Sequence, residues 1–164
     1  MPSIIEPTNI TKLFFSYAHE DEALRDELEK QLRILKRQGL ILSWHDRRIN
    51  AGREWESEID THLNSAQIIL LLVSPDFMDS DYCYGIEMKR ALERHEAKEA
   101  QVIPIILRPV HWEDAPFHKL QVLPTDGKPI TLWPNHDEAF WDIAKGIRKV
   151  VKELIASYKT KEQW

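Results

Sequence analysis

Glu87 is the carboxylate of this sequence whose setting best suits chemistry. It lies in the stretch at residues 67–94, QIILLLVSPDFMDSDYCYGIEMKRALER, which begins with an unbroken apolar run, Ile68–Val73, that stops at Ser74-Pro75. Such a run predicts a strand buried on both faces, followed by the loop PDFMDSD. A helix is expected next, with Ser80 or Asp81 as its N-cap. At ~100° per residue Tyr84, Met88, Ala91, Leu92 and His95 share one side of it, and Glu87 falls roughly 40° from Ala91, at the edge of that face. A carboxylate one or two turns into a helix, near the carboxyl end of a buried strand, is where open α/β sheets place ligand chemistry. The plain alternative is an exposed helix glutamate paired with Arg90 or Arg94.

Other chemistries find less support. The five glycines (39, 52, 85, 127 and 146) form neither GxGxxG nor a phosphate loop, and no serine sits in GxSxG. The seven histidines contain no HExxH and no i, i+4 pair, so no metal site is expected. Cys83 is at a helix start, where a thiolate is favoured, but no base is visible beside it and a packed small residue is the simpler reading. A phospho-receiver needs paired acids after its first strand and an acceptor Asp ending its third; here the third strand ends in Ser74-Pro75.

The elements that must position Glu87 alternate regularly. Residues 12–17, KLFFSY, read as a short strand; the helix after it has an acidic first turn (Glu20, Asp21, Glu22), carries Leu24, Leu28, Leu32 and Leu35 at helical spacing, and ends near Gly39. Residues 40–44 form a second strand that runs into HDRRINAGRE, a long loop of mixed charge. A helix over 54–66 has Trp55, Ile59, Leu63 and Ala66 on one stripe. Residues 101–110 read as a fourth buried strand, with Pro104 pushing it to an edge or a bulge. After an irregular, proline-bearing segment at 111–128, a short fifth strand is expected at 129–133. A long helix over 137–158 turns Phe140, Ile143, Ile147, Val150, Val151 and Leu154 inward. This order predicts an α/β, flavodoxin-like three-layer fold: a five-stranded parallel sheet flanked by helices.

A chain of 164 residues with 43% hydrophobic residues supports one full core. With a net charge of -5 and interspersed signs, nucleic acid is not an expected partner. The basic residues after Lys145 fit the solvated face and C-terminal charge of the last helix. A single cysteine, Cys83, excludes an intramolecular disulfide and suits a reducing compartment. No apolar run approaches the ~20 residues that span a bilayer, and MPSIIEPTNITK is not a signal peptide. A soluble cytoplasmic domain without a membrane partner is therefore expected, either alone or as one part of a longer protein.

Four motifs together resemble one family. KLFFSYAHEDE is similar to the first box of Toll/interleukin-1 receptor (TIR) domains, and WHDRRINAG resembles their BB loop. SPDFMDSDYCYGIE resembles the segment bearing the catalytic glutamate, and Ala139-Phe140-Trp141 the third box. The resemblance covers roughly residues 12–154, and implies a lead-in at 1–11, a TIR domain at 12–158 and a tail at 159–164. Enzymatic members often carry Trp four residues before the glutamate, where this chain has Cys83; Tyr82 or Tyr84 would then supply the aromatic surface. The BB loop reads Asn50-Ala51-Gly52 in place of the proline-glycine pair of animal receptors, which leans toward the bacterial or plant-like branch.

The resemblance implies cleavage of the nicotinamide–ribose bond of NAD⁺, which is substrate and not cofactor; no cofactor is expected. Glu87 would be the catalytic residue. Phe15, Ser16 and Tyr17 would line the pocket from the first strand, Trp44, Asp46 and Arg47 from the BB loop, Ser74 from the third strand end, and Tyr82, Cys83 and Tyr84 would flank the glutamate. The product would be ADP-ribose or a cyclic form. The setting implied is immune or antiphage signalling, with activity on homo-oligomerisation through the BB loop, residues 45–53. Two alternatives remain open: a non-catalytic module that docks other TIR domains, and a ribosyl hydrolase or transferase that uses Glu87 on another nucleoside or nucleotide.

Overall fold

The computed structural model describes residues 10–44 and 55–162. Its centre is β3, Ile68–Val73, six apolar residues that are all fully buried because helices cover both faces of the sheet. β1 (Thr11–Ser16) pairs with it in parallel from Leu13↔Ile68 to Ser16↔Leu71. β2 (Ile41–Trp44) pairs with β1, and β4 (Gln101–Ile106) with β3, giving the order β2-β1-β3-β4, all parallel. The fold is the expected flavodoxin-like α/β architecture with four strands in place of five.

Alternation along β1 sends its side chains into two cores. Leu13, Phe15 and Tyr17 pack with Leu28 of α1 (Glu22–Gln31), Leu35 of α2 (Arg33–Arg37) and Leu32 between the two, and with Phe140, Ile143 and Ile147 of the long final helix α6 (His136–Glu162). Phe14 faces the other way, toward Ile59 and Leu63 of α3 (Trp55–Ser65) and toward the elements after β3. Within Thr11–Ser16, parity thus decides which side chains can meet Glu87.

Three elements depart from the sequence-based expectation. The segment PDFMD is a helix, α4 (Pro75–Asp79), not a loop: Ser74 Oγ accepts from the Phe77 amide at 3.0 Å and Pro75 opens the first turn, where a missing N–H costs nothing. β4 stops at Ile106. The expected fifth strand at 129–133 is a 3-10 turn, Ile130–Leu132, hemmed by Pro129 and Pro134, which have no amide to give a ladder. The outer edge of β4 instead takes a single parallel bridge from Leu123, whose amide donates to Pro104 O at 2.9 Å and whose carbonyl accepts from Ile106 N at 2.8 Å. Pro104 does lie in an edge strand, as its type demands.

The first helical region ends as its sequence implies, at Gly39 with φ +74°. A Cβ added there meets nothing within 4 Å, so the cost of Gly39→Ala is backbone strain alone. Thermal or urea unfolding is expected to show a loss of about 1–2 kcal/mol; an unchanged midpoint would mean that the turn relaxes out of the left-handed region.

Candidate active site

The segment after α4 is where the chain changes its winding. Residues Asp81–Glu87 form a π-helical turn that continues into α5 (Met88–Glu96). Bonds in such a turn close from i to i+5, so it takes in more residues than an α-turn, and such insertions cluster at functional sites. An α-helical wheel leaves Glu87 at the edge of the apolar face. In the structure it is 4% exposed and buried beside Met88.

Both ends of the π-turn are pinned. Ser80 is the N-cap, its Oγ accepting from the Cys83 amide at 3.1 Å. At the other end Ser16 Oγ, fully buried at the last position of β1, donates to Glu87 Oε1 at 2.8 Å. The Cys83 thiol, one turn before Glu87, donates to Tyr17 O at 3.3 Å. Arg90 and Arg94 turn elsewhere: Arg90 to Asn64 and Glu93, Arg94 to the carbonyls of Leu63 and Ala66. The surface ion pair that an isolated reading of Glu87 suggests is therefore replaced by a buried serine contact.

Glu87 lines a cavity of about 270 Å³ at the carboxyl end of the sheet. One wall is Tyr17 to Glu20, the chain leaving β1; a second is Asp76, Asp79 and Ser80; the third is Tyr82, Cys83 and Glu87 itself. The lining carries four acids, Glu20, Asp76, Asp79 and Glu87, with His19 among them. Asp76 is held by Arg108, whose Nε also bonds the buried Asp21 at 2.8 Å. The Arg108 pKa is raised, first by the hydrogen bond to Asp21. Among the described residues no three His, Cys, Asp or Glu side chains come together to hold a metal ion.

Of the residues singled out in the sequence, Tyr17, Tyr82, Cys83 and Glu87 share this cavity, and Ser16 stands directly behind the carboxylate. Phe15 does not reach it: its parity turns it into the core under α1 and α6. Trp44 stacks on His62 at 4.2 Å and 12°, with Phe14 at 5.5 Å, and is not part of the lining. Ser74 is fully buried and bonds Asp21 and the Phe77 amide, an anchor beneath the wall. Tyr84 faces a separate apolar groove with Met88, Leu92 and Pro116. Asp46 and Arg47 lie outside the described residues. Sequence reasoning passed over Ala18, His19, Glu20, Asp76 and Asp79, although every one of them follows a strand end, the signal that had singled out Glu87.

Residues 13–143 match the TIR domain family. The chain belongs to the TIR domain family. This TIR domain is 63% identical over 137 residues to the uncharacterized protein y4lF of Sinorhizobium fredii (strain NBRC 101917 / NGR234). That match covers 84% of the chain and 42% of y4lF, so the chain spans less than half the length of this relative. The TIR domain of the Toll-related receptor TRR-2 from Hydra magnipapillata superposes with a TM-score of 0.58 at 21% identity, over 85% of this chain and 97% of that one. The TIR domains of the activated Roq1 resistosome, which directly recognises the effector XopQ, give a TM-score of 0.48 at 23% identity over 58% of this chain and 56% of theirs. No helix among the described residues is long and apolar enough to cross a membrane.

Proposed function

We propose that this TIR domain, taken as residues 12–158, cleaves the nicotinamide–ribose bond of NAD⁺, with Glu87 as the catalytic carboxylate. The observation that carries the reading is a buried glutamate held by Ser16 and lining a cavity at the sheet's carboxyl rim. Glycoside hydrolysis ordinarily needs an acid for the leaving oxygen and a second carboxylate on the other face. Nicotinamide leaves NAD⁺ as a neutral base: the C–N bond breaks with its electron pair returning to the ring nitrogen, and no proton is required. What the protein must supply is stabilisation of the positive charge that grows on the ribose. A carboxylate fixed in a site of low dielectric does that without reorganising. Water then adds to the ribose carbon and loses a proton, giving ADP-ribose; attack by an adenine nitrogen gives a cyclic product.

The acidic lining suits the cationic pyridinium end of the substrate and disfavours its pyrophosphate. A cavity of about 270 Å³ lies just below the ~300–1,000 Å³ usual for small-molecule sites. It has room for the nicotinamide riboside end, and the remainder of the dinucleotide then lies outside, where a neighbouring copy and the loop at 45–53 would complete the site. Activity on self-assembly, in immune or antiphage signalling, is part of the same reading, which the TIR family match supports.

The test is NAD⁺ loss in a concentrated or artificially clustered preparation, with Glu87→Ala as control; NAD⁺ left intact by both would leave a non-catalytic TIR–TIR docking module. Ser16→Ala should lower turnover about tenfold, the worth of one hydrogen bond to a carboxylate, with little change in KM. A Ser16→Ala variant with parental kcat would mean that Glu87 is oriented without it.

A further inference from the structure

Three strand ends meet behind the cavity through one guanidinium. Arg108 follows β4, and its Nε donates to Asp21 Oδ1 at 2.8 Å while a terminal nitrogen donates to Asp76 Oδ2. Asp21 is 1% exposed and closes the turn that leaves β1, its amide donating to Ala18 O at 2.9 Å. The other oxygen of Asp21 accepts from Ser74, the residue that follows β3 and caps α4. Asp76 lies in the first turn of that same helix and itself lines the cavity. Both walls facing Glu87, residues 17–20 and residues 76–80, are thus fastened to one side chain that does not line the cavity.

We propose that Arg108 is a positioning residue of this site, a two-armed clamp that sets the separation of the walls on either side of Glu87. A planar guanidinium presents separate N–H edges to two carboxylates in fixed directions; an ammonium offers one point of charge and no fork. The clamp also sets one positive charge between Asp76 and Asp21, carboxylates that would otherwise repel more strongly across the rim. When it is lost, the wall from Tyr17 to Glu20 moves away from the π-turn. The first contact to fail is then the bond from the Cys83 thiol to Tyr17 O.

Cys83 is the only cysteine of the chain, so its alkylation reads the wall independently of any turnover. The experiment compares the parent, Arg108→Gln, Arg108→Lys and Asp76→Asn by three readouts: thermal melting, the rate of Cys83 labelling by iodoacetamide under native conditions, and kcat and KM for NAD⁺. The turnover arm rests on the proposed NAD⁺ cleavage; the labelling arm does not. Labelling is expected to be several-fold faster in Arg108→Gln, and kcat to fall by about 10–100-fold, the scale of an ångström of misplacement. KM is expected to change much less. Arg108→Lys should recover the melting temperature while labelling stays fast and kcat low, a split that a merely structural role would not give. Should Arg108→Gln fail to fold, Asp76→Asn, which cuts one arm at a partly exposed residue, carries the same expectation for labelling. A folded variant with the parental labelling rate, or a lysine that restores every readout, overturns the clamp. If the parent leaves NAD⁺ intact while the labelling differences appear, the NAD⁺ reading fails and the clamp stands.

Discussion

Glu87→Gln is expected to lower the rate of nicotinamide release about 10²–10³-fold, equivalent to about 2.7–4 kcal/mol of transition-state stabilisation. The substitution keeps the volume of the side chain and an oxygen able to accept from Ser16 Oγ, so the bond that ties the π-turn to β1 can persist. What it removes is the negative charge, and only the charge opposes the cation forming on ribose. The fall should therefore appear in kcat, with KM for NAD⁺ nearly unchanged, the pattern of an interaction made in the transition state. Ser16→Ala added to Glu87→Gln should cost little more, because Ser16 acts through the carboxylate that is already gone. Steady-state nicotinamide release from the four proteins measures both. A Glu87→Gln enzyme with parental kcat would move the chemistry to another acid of the lining.

The second large effect concerns stability. Arg25→Ala is expected to destabilise the domain by about 3–5 kcal/mol, because it removes the cation of a buried ion pair with Glu29. Arg25 is 3% exposed, packed over the rings of Phe15 and Tyr17 at 5.2 and 5.6 Å, with its Nη1 2.6 Å from Glu29. Burial pulls the Arg25 pKa down, but the hydrogen bond and charge of Glu29 prevail and leave it raised. Glu29 also accepts from Ser43 Oγ at 3.3 Å. Arg25 Nε has no hydrogen-bond partner among the described residues, so the pair is incompletely satisfied. Replacing both partners, Arg25→Met with Glu29→Leu, should accordingly leave stability within about 1 kcal/mol of the parent, or above it. Urea unfolding of the two variants decides; an Arg25→Ala loss below about 1 kcal/mol would mean that the pair is not what holds α1 against the sheet.

Much of this fold is legible in the chain because single local signals suffice for it. Ile68–Val73 has no polar residue to set on a solvent face, so it can only be a central strand. Ser80 is a capping residue in front of an apolar stripe, and Gly39 follows a basic last turn. Where two signals compete, the reading goes astray. Ser74-Pro75-Asp76 stops a strand and also starts a helix, and the second meaning operates within one residue of the first. The stretch PITLW has strand-forming residues, but prolines on both sides deny it a ladder.

The candidate site divides in the same manner. The place of Glu87 follows from the rule about strand ends, whereas its burial does not, because a wheel of fixed pitch does not register the π-turn that rotates it inward. Alternation along β1 was available from sequence and separates Ser16, which meets Glu87, from Phe15, which cannot. The Arg108–Asp21 contact joins residues 87 apart, and no spacing in the chain announces it.

The central claim is that the Glu87 carboxylate stabilises a ribose becoming a cation. It is tested most directly by following NAD⁺ and nicotinamide together in a clustered preparation whose self-association has been verified by sedimentation. The account predicts that NAD⁺ disappears with one nicotinamide released for each molecule lost, and that clustered Glu87→Gln releases almost none. NAD⁺ left intact by the assembled parent, or released nicotinamide that persists undiminished in the glutamine variant, would contradict it.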